Sequence, residues 1–257
     1  MKDNLTLFGF NFARNSAHTS RTIMLDELQT LLAYVNNSAA EKTDYRQAVE
    51  DENCLAKRSG KTRKLTLRHL TELYSLNPDI LLFKALLFFW DRDPKARPLL
   101  ALLCAYARDP LLRSTVALVL ALPDGARLHR EKMEDFIENL EPGRFSPATL
   151  KSTAQNLNSS LTKSGHLNGR ARKIRFKVTA SAGSIAYALL LGYLQGARGE
   201  FLFRSEYVKL LDCPFAQAIE LAEEASRKGW IVFKRIGDVV EVLFPNLLSP
   251  KAMELLK

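Results

Sequence analysis

Apolar residues recur every three or four positions over most of the chain, the period of helices with one buried face. Ile23, Leu28, Leu31, Leu32 and Val35 predict a helix over residues 22–35, ended by Asn36-Asn37-Ser38. Tyr45, Val49 and Leu55 predict a second over 44–57, and Leu70, Leu73 and Leu76 a third over 65–76. Residues 1–17 lack the period and read as an irregular or weakly extended lead-in. Pro78, Pro94, Pro98, Pro110 and Pro123 divide the next, very apolar region into short helices, since proline opens a helix but cannot continue one. After Asp124-Gly125 a helix is predicted over 129–140, and Glu141-Pro142-Gly143 breaks it.

Ser146-Pro147 is a cap followed by a first-turn proline. Leu150, Ala154, Leu157 and Leu161 stripe the helix that follows, and Gly165 stops it. Its other face shows Thr149, Lys151, Ser152, Gln155, Asn156, Asn158, Ser159 and Lys163. The period then changes to two. Ile174, Phe176 and Val178 alternate with Lys173, Arg175 and Lys177, which predicts a half-buried strand with three cations on its open face. Beyond it lie an apolar helix over 184–194, helices over 205–211 and 215–228, strands over 230–235 and 239–244 around Ile236-Gly237-Asp238, and a terminal helix after Ser249-Pro250. The expected fold is mainly α. An N-terminal helical bundle over 1–128 leads into a basic helix-turn-helix or winged-helix-like unit over 129–180, and a second winged-helix-like unit with a small β-hairpin closes the chain over 181–257.

Charge sharpens this picture. The chain has 37 Lys+Arg against 28 Asp+Glu. Residues 144–198 hold Arg144, Lys151, Lys163, Arg170, Arg172, Lys173, Arg175, Lys177 and Arg198 and no carboxylate, so the remainder is balanced at 28 against 28. A localised basic block is the footprint of a nucleic-acid contact surface, or else a solvated face or a dock for an acidic protein. The helix that opens the block has no acid in its first turn, which leaves its N–H groups available to a phosphate, and its amides and hydroxyls can reach base edges. Three carboxylates, Glu220, Glu223 and Glu224, sit on the corresponding helix of the last unit and disfavour DNA there. Packing, dimerisation or protein contact is the expected role of that unit.

The residues form no constellation that reads as catalytic. Gly60-Lys61-Thr62 has the ending of a phosphate-binding loop, but Leu55 stands where that loop needs glycine. It remains a basic turn, Lys57, Arg58, Lys61, Arg63 and Lys64, at the head of a helix, and such a turn can touch phosphates. His18, His69, His129 and His166 are scattered away from metal-ligand spacing. Asp238 and Glu241 lack the lysine of a nuclease motif, since position 243 is Leu. Cys54, Cys104 and Cys213 lie far apart, as reduced thiols of a cytoplasmic protein do. No secretory leader is expected in residues 1–12, and the apolar runs are too short or too broken by charge to span a bilayer. The expectation is a non-enzyme with no cofactor and no metal.

Three motifs in order carry a family resemblance: Glu52-Asn53-Cys54-Leu55-Ala56-Lys57-Arg58-Ser59 with Thr62, then Arg108-Asp109-Pro110-Leu111-Leu112, then Phe145-Ser146-Pro147-Ala148-Thr149 with Ser164-Gly165-His166-Leu167. Together they resemble the BrxA family of BREX bacteriophage-defence systems over about residues 10–170. The resemblance implies a cytoplasmic, non-enzymatic DNA-binding component acting beside a methyltransferase, a phosphatase-like protein and ATPases, in contact with other BREX proteins. Members have also been likened to an RNA-binding antitermination factor, and some have been labelled inner-membrane proteins. Asn53, Arg58, Ser59, Thr62, Ser146 and Thr149 carry over as structural or contact positions.

Double-stranded DNA is thus the expected partner, held mainly through phosphates by Lys57, Arg58, Lys61, Arg63, Lys64, Arg144, Lys151, Lys163, Arg170, Arg172, Lys173, Arg175 and Lys177. Ser146 and Thr149 head the helix, and Gln155 and Asn156 are placed to reach bases. RNA binding is the first rival, with Phe145, Phe176 and Tyr187 as the nearby aromatics and Phe176 expected inside. A protein adaptor is the second.

Overall fold

The computed structural model describes residues 2–237 and 239–256; Asp238, at the expected hairpin turn, lies outside the described residues. The fold is mainly helical with two small antiparallel sheets. α1 (Lys2–Phe8) forms where an irregular lead-in was expected, and it buries Leu5 and Phe8 in a run too short for a period to show. A 3-10 turn, Ala17–Thr19, precedes α2 (Leu25–Val35), α3 (Lys42–Glu50) and α4 (Gly60–Tyr74). α3 stops short of residue 57 because Asn53 and Ala56 take left-handed angles, φ 53° and 50°. The Asn53 amide brackets this turn, its Oδ1 accepting from Lys57 N at 2.7 Å and its Nδ2 donating to Lys57 O at 3.1 Å. α4 begins at Gly60 rather than residue 65, since Ser59 Oγ accepts from Thr62 N at 3.2 Å and so caps it.

α5 (Leu81–Arg92), α6 (Arg97–Arg108) and α7 (Pro110–Leu120) are the apolar helices between prolines. After them come β1 (Arg127–Leu128), α8 (Arg130–Leu140), α9 (Pro147–Lys163), β2 (Leu167–Asn168) and β3 (Lys173–Arg175). The sheet order is β1-β3-β2, with Arg127 opposite Ile174 and Asn168 opposite Ile174 on the other side. α10 (Ala182–Leu194), a 3-10 turn at Gly199–Arg204, α11 (Glu206–Lys209), α12 (Phe215–Arg227), β4 (Val232–Ile236), β5 (Val239–Leu243) and α13 (Pro250–Glu254) complete the described chain.

Every residue of α10 is buried, which is the behaviour of a helix apolar on all sides. α5 and α6 pack on it, as do α11 and α12, so it joins the N-terminal helices to the C-terminal ones. Gly183 permits the closest approach: its N–H donates to Asp93 Oδ2 at 2.9 Å, and a Cβ there would come within 2.7 Å of Asp93 Cβ. The apolar core runs without a break from Leu5 to Leu247.

Two buried polar knots fix the basic segment to this core. In the first, Asp109 caps α7 by accepting from Leu112 N at 3.0 Å and accepts from Ser16 Oγ at 2.8 Å and Ala17 N at 2.9 Å. His18 Nδ1 approaches Asp109 Oδ2 at 3.0 Å without in-line hydrogen-bond geometry, and its Nε2 is 2.9 Å from Ser160 Oγ on α9. The order Ser, His, Asp has the look of a nucleophile triad. Yet His18 and Ser160 are fully buried, and Ser160 Oγ donates to Asn156 O at 2.8 Å while accepting from Ile23 N at 2.9 Å. With its side chain buried and its proton spent on a carbonyl, the serine anchors α9. In the second knot Arg175 pairs with Asp212, which also accepts from Val178 N at 3.3 Å. His166 lies beside the pair, its Nε2 donating to Leu210 O at 2.7 Å.

Candidate nucleic-acid interface

α9 is built as its sequence dictates. Ser146 Oγ accepts from Thr149 N at 3.3 Å, Pro147 takes the first turn, and no acid lies there. Thr153, Ala154, Leu157, Asn158, Ser160 and Leu161 are buried. The opposite stripe, Lys151, Ser152, Gln155, Ser159, Thr162 and Lys163, faces solvent fully or in part. Two amides expected on that stripe turn inward. Asn158 is buried, and Asn156 Nδ2 donates to His18 O at 3.0 Å. Asn156 therefore braces the 3-10 turn, and Gln155 alone of the two expected base-reading amides is free.

The loop between β2 and β3 is Gly169-Arg170-Ala171-Arg172, exposed throughout. Gly169 sits at φ 96°, and a Cβ there would lie 2.1 Å from Arg172 O, so the turn needs glycine. Lys173 braces it: its Nζ donates to Gly169 O at 2.8 Å and to Thr162 Oγ1 at 2.9 Å, and partial burial holds its pKa below the usual lysine range.

The expected strand phase is reversed at Arg175 and Phe176. Arg175 is buried, and its guanidinium donates to Asp212 and to the Phe176 carbonyl. Phe176 is 56% exposed, although the alternation placed it inside. The docked turn after α11 brings in Asp212, and one buried ion pair outweighs the alternation of a three-residue strand. Lys177 is exposed, its backbone N–H held by Asp124 Oδ1 at 3.2 Å.

The turn before α4 meets α9 across the first turn of α2. Lys57 Nζ reaches Glu27 at 3.3 Å, and Lys163 pairs with the adjacent Asp26. Two basic segments about a hundred residues apart in sequence thus flank one helix end. Arg58, Lys61 and Lys64 are exposed there. Arg63 is half-buried, with Nη1 3.4 Å from Asp51 O and a buried Nε that has no partner. Arg144 pairs with Glu141, donates to Arg14 O at 2.6 Å and lies 4.8 Å over the Phe145 ring.

The cations divide by environment. Arg58, Lys61, Lys64, Lys151, Arg170, Arg172 and Lys177 are exposed and have no carboxylate partner among the described residues. Lys57, Lys163, Arg144 and Arg175 are paired, so any role for them in contact first breaks an ion pair. Arg14 and Arg127, both exposed, border the same region and escape a sequence reading because each is a single cation in a short or irregular segment. Among the described residues no cluster of His, Cys, Asp and Glu could hold a metal ion, and no helix is long and apolar enough to cross a membrane. The three cysteines are free, Cys104 fully buried and Cys54 and Cys213 partly so, and burial pushes the thiols of Cys104 and Cys213 up to about 11. No family model and no curated protein matches the chain.

Proposed function

We propose that the chain binds duplex DNA without catalysing a reaction, as a winged helix-turn-helix whose recognition helix is α9. One observation carries the proposal. The outward stripe of α9, from an open N-terminus through Lys151 and Gln155 to Thr162, runs without a carboxylate to the Arg170-Ala171-Arg172 loop. The succession α7, β1, α8, α9, β2, β3 with sheet order β1-β3-β2 supports a winged-helix reading, and the Arg170–Arg172 loop is then the wing. α9 enters the major groove, Gln155 reaches base edges, and the wing and the Arg58–Lys64 turn hold phosphates on either side.

The C-terminal order α10, 3-10 turn, α11, α12, β4, β5 supports a second winged-helix-like unit. Glu223 and Glu224 on α12 neutralise Arg227 and Lys228, so this unit takes no phosphate-binding role. The resemblance of the three motifs to the BrxA family supports membership of a BREX-type defence system as a DNA-binding accessory. Within those motifs Asn53, Ser59, Thr62, Ser146 and Thr149 build the two helix starts, Arg108 donates to Glu72 O and Thr71 O at 3.0 and 3.1 Å, and Asp109 forms the first knot. Arg58 is the motif position free to meet a ligand.

The exposed Phe176 beside Lys177 favours a second reading, single-strand or RNA binding with a base stacked on the ring. Competition separates the two. Duplex DNA should displace a labelled duplex from the protein at lower concentration than single-stranded DNA or RNA of equal length, and Phe176→Ala should leave duplex affinity unchanged. Preference for a single strand that Phe176→Ala abolishes would replace the duplex reading with the second one.

A further inference from the structure

Ile236 at 82% and Val239 and Phe201 at 73% are the most exposed large apolar side chains among the described residues. Two of them form the end of the β4–β5 hairpin. On β5, Val240 and Val242 turn to the core while Val239, Glu241 and Leu243 turn out. The register sets Ile236 opposite Val239, Lys234 opposite Glu241 and Val232 opposite Leu243. From end to base the outward face is an apolar pair, a charge pair and a second apolar pair. Lys234 Nζ lies 3.5 Å from Glu241 Oε2, and both side chains are more than half exposed, at 67% and 51%. Phe201 stands on the 3-10 turn that packs beside β5.

We infer that this hairpin face is the interface for a second copy of this chain. A face that carries one cation and one anion side by side between apolar pairs is its own complement under a two-fold rotation. When the axis runs along the strands, β4 of each copy lies over β5 of the other. Lys234 then meets Glu241 of the second copy, and Ile236 meets Val239 of the second copy. An in-plane axis across the strands would instead set Lys234 on Lys234 and Glu241 on Glu241, so charge selects the first arrangement. The face is small, six side chains where a stable interface uses about 20–30 residues a side. Association is therefore weak, as expected of a patch below the standard size. The inference does not depend on DNA binding.

Sedimentation equilibrium of the full chain, freed of nucleic acid, tests it over about 10 to 500 µM, concentrations at which weak association is populated. The wild-type average mass should climb from one chain toward two across that range. Ile236→Asp and Lys234→Glu should hold it at one chain, with unchanged circular dichroism, because both positions are exposed. Lys234→Glu combined with Glu241→Lys should restore the climb. A wild type that stays at one chain overturns the inference, as do single variants that associate like the wild type. A double variant that fails to recover overturns the strand-parallel two-fold on which the inference rests.

Discussion

Arg172 and Arg175 lie three positions apart in one basic run and have opposite surroundings. Arg175 is buried against Asp212, and removing one member of such a pair strands the other. Arg175→Gln should cost about 3–5 kcal/mol in urea denaturation, whereas Arg172→Gln should leave stability unchanged and weaken duplex binding. The alternation of apolar and basic residues made the strand legible but not its phase. Arginine has an apolar stem, its partner is 37 residues away, and neither fact is written in the local pattern. His166 adds a pH dependence. Burial pushes its pKa below the usual range, as does the nearby Arg175, and together they outweigh the Leu210 carbonyl and Asp212, which act the other way. The unfolded chain therefore takes up a proton first. Stability is full above about pH 6.5 and falls as pH drops below it, until the folded ring also titrates. Urea midpoints between pH 7.5 and pH 5.5 should decline in the wild type and stay flatter in His166→Asn; equal slopes would contradict this account.

At the scale of elements, α9 was readable almost in full, since Ser146-Pro147, the leucine stripe and Gly165 are local signals. β1 was not, because two residues, Arg127 and Leu128, have no period and pair only with a strand far along the chain. The Gly169–Arg172 loop depends on one glycine. Gly169→Ala would force a Cβ against Arg172 O at a left-handed φ, so it should displace Arg170 and Arg172 and lower duplex affinity with the helices intact by circular dichroism. Affinity equal to the wild type would remove this loop from the proposed interface. α10 was legible as an apolar helix, but its central place was not, since burial on every side is a property of what surrounds it. Leu190→Ala should cost about 2–5 kcal/mol, read as a shift of a single unfolding transition, because helices from both halves of the chain pack on α10.

For the whole molecule, the sequence shows an excess of charge in one segment, and folding redistributes it. Arg175 leaves the surface, Lys163 and Lys57 are drawn to Asp26 and Glu27, and the turn before α4 joins the face of α9. The two carboxylates of α2 thus stand between two basic lobes. Asp26→Asn with Glu27→Gln should tighten duplex binding by roughly thirtyfold at low salt, the effect of about 1 kcal/mol for each of two close charge pairs in water, while weakening the α2 terminus slightly. The most direct test of the central proposal is the salt dependence of duplex affinity by fluorescence anisotropy, wild type against Lys151→Glu, Arg170→Glu, Arg172→Glu. These three exposed, unpaired cations can be reversed without disturbing the core. If about six phosphates are contacted, wild-type affinity should fall on the order of a thousandfold between 50 and 200 mM salt. The variant should bind weakly at both salts, with a shallower slope. Wild-type binding that ignores salt, or a variant that binds as the wild type does, would contradict the account.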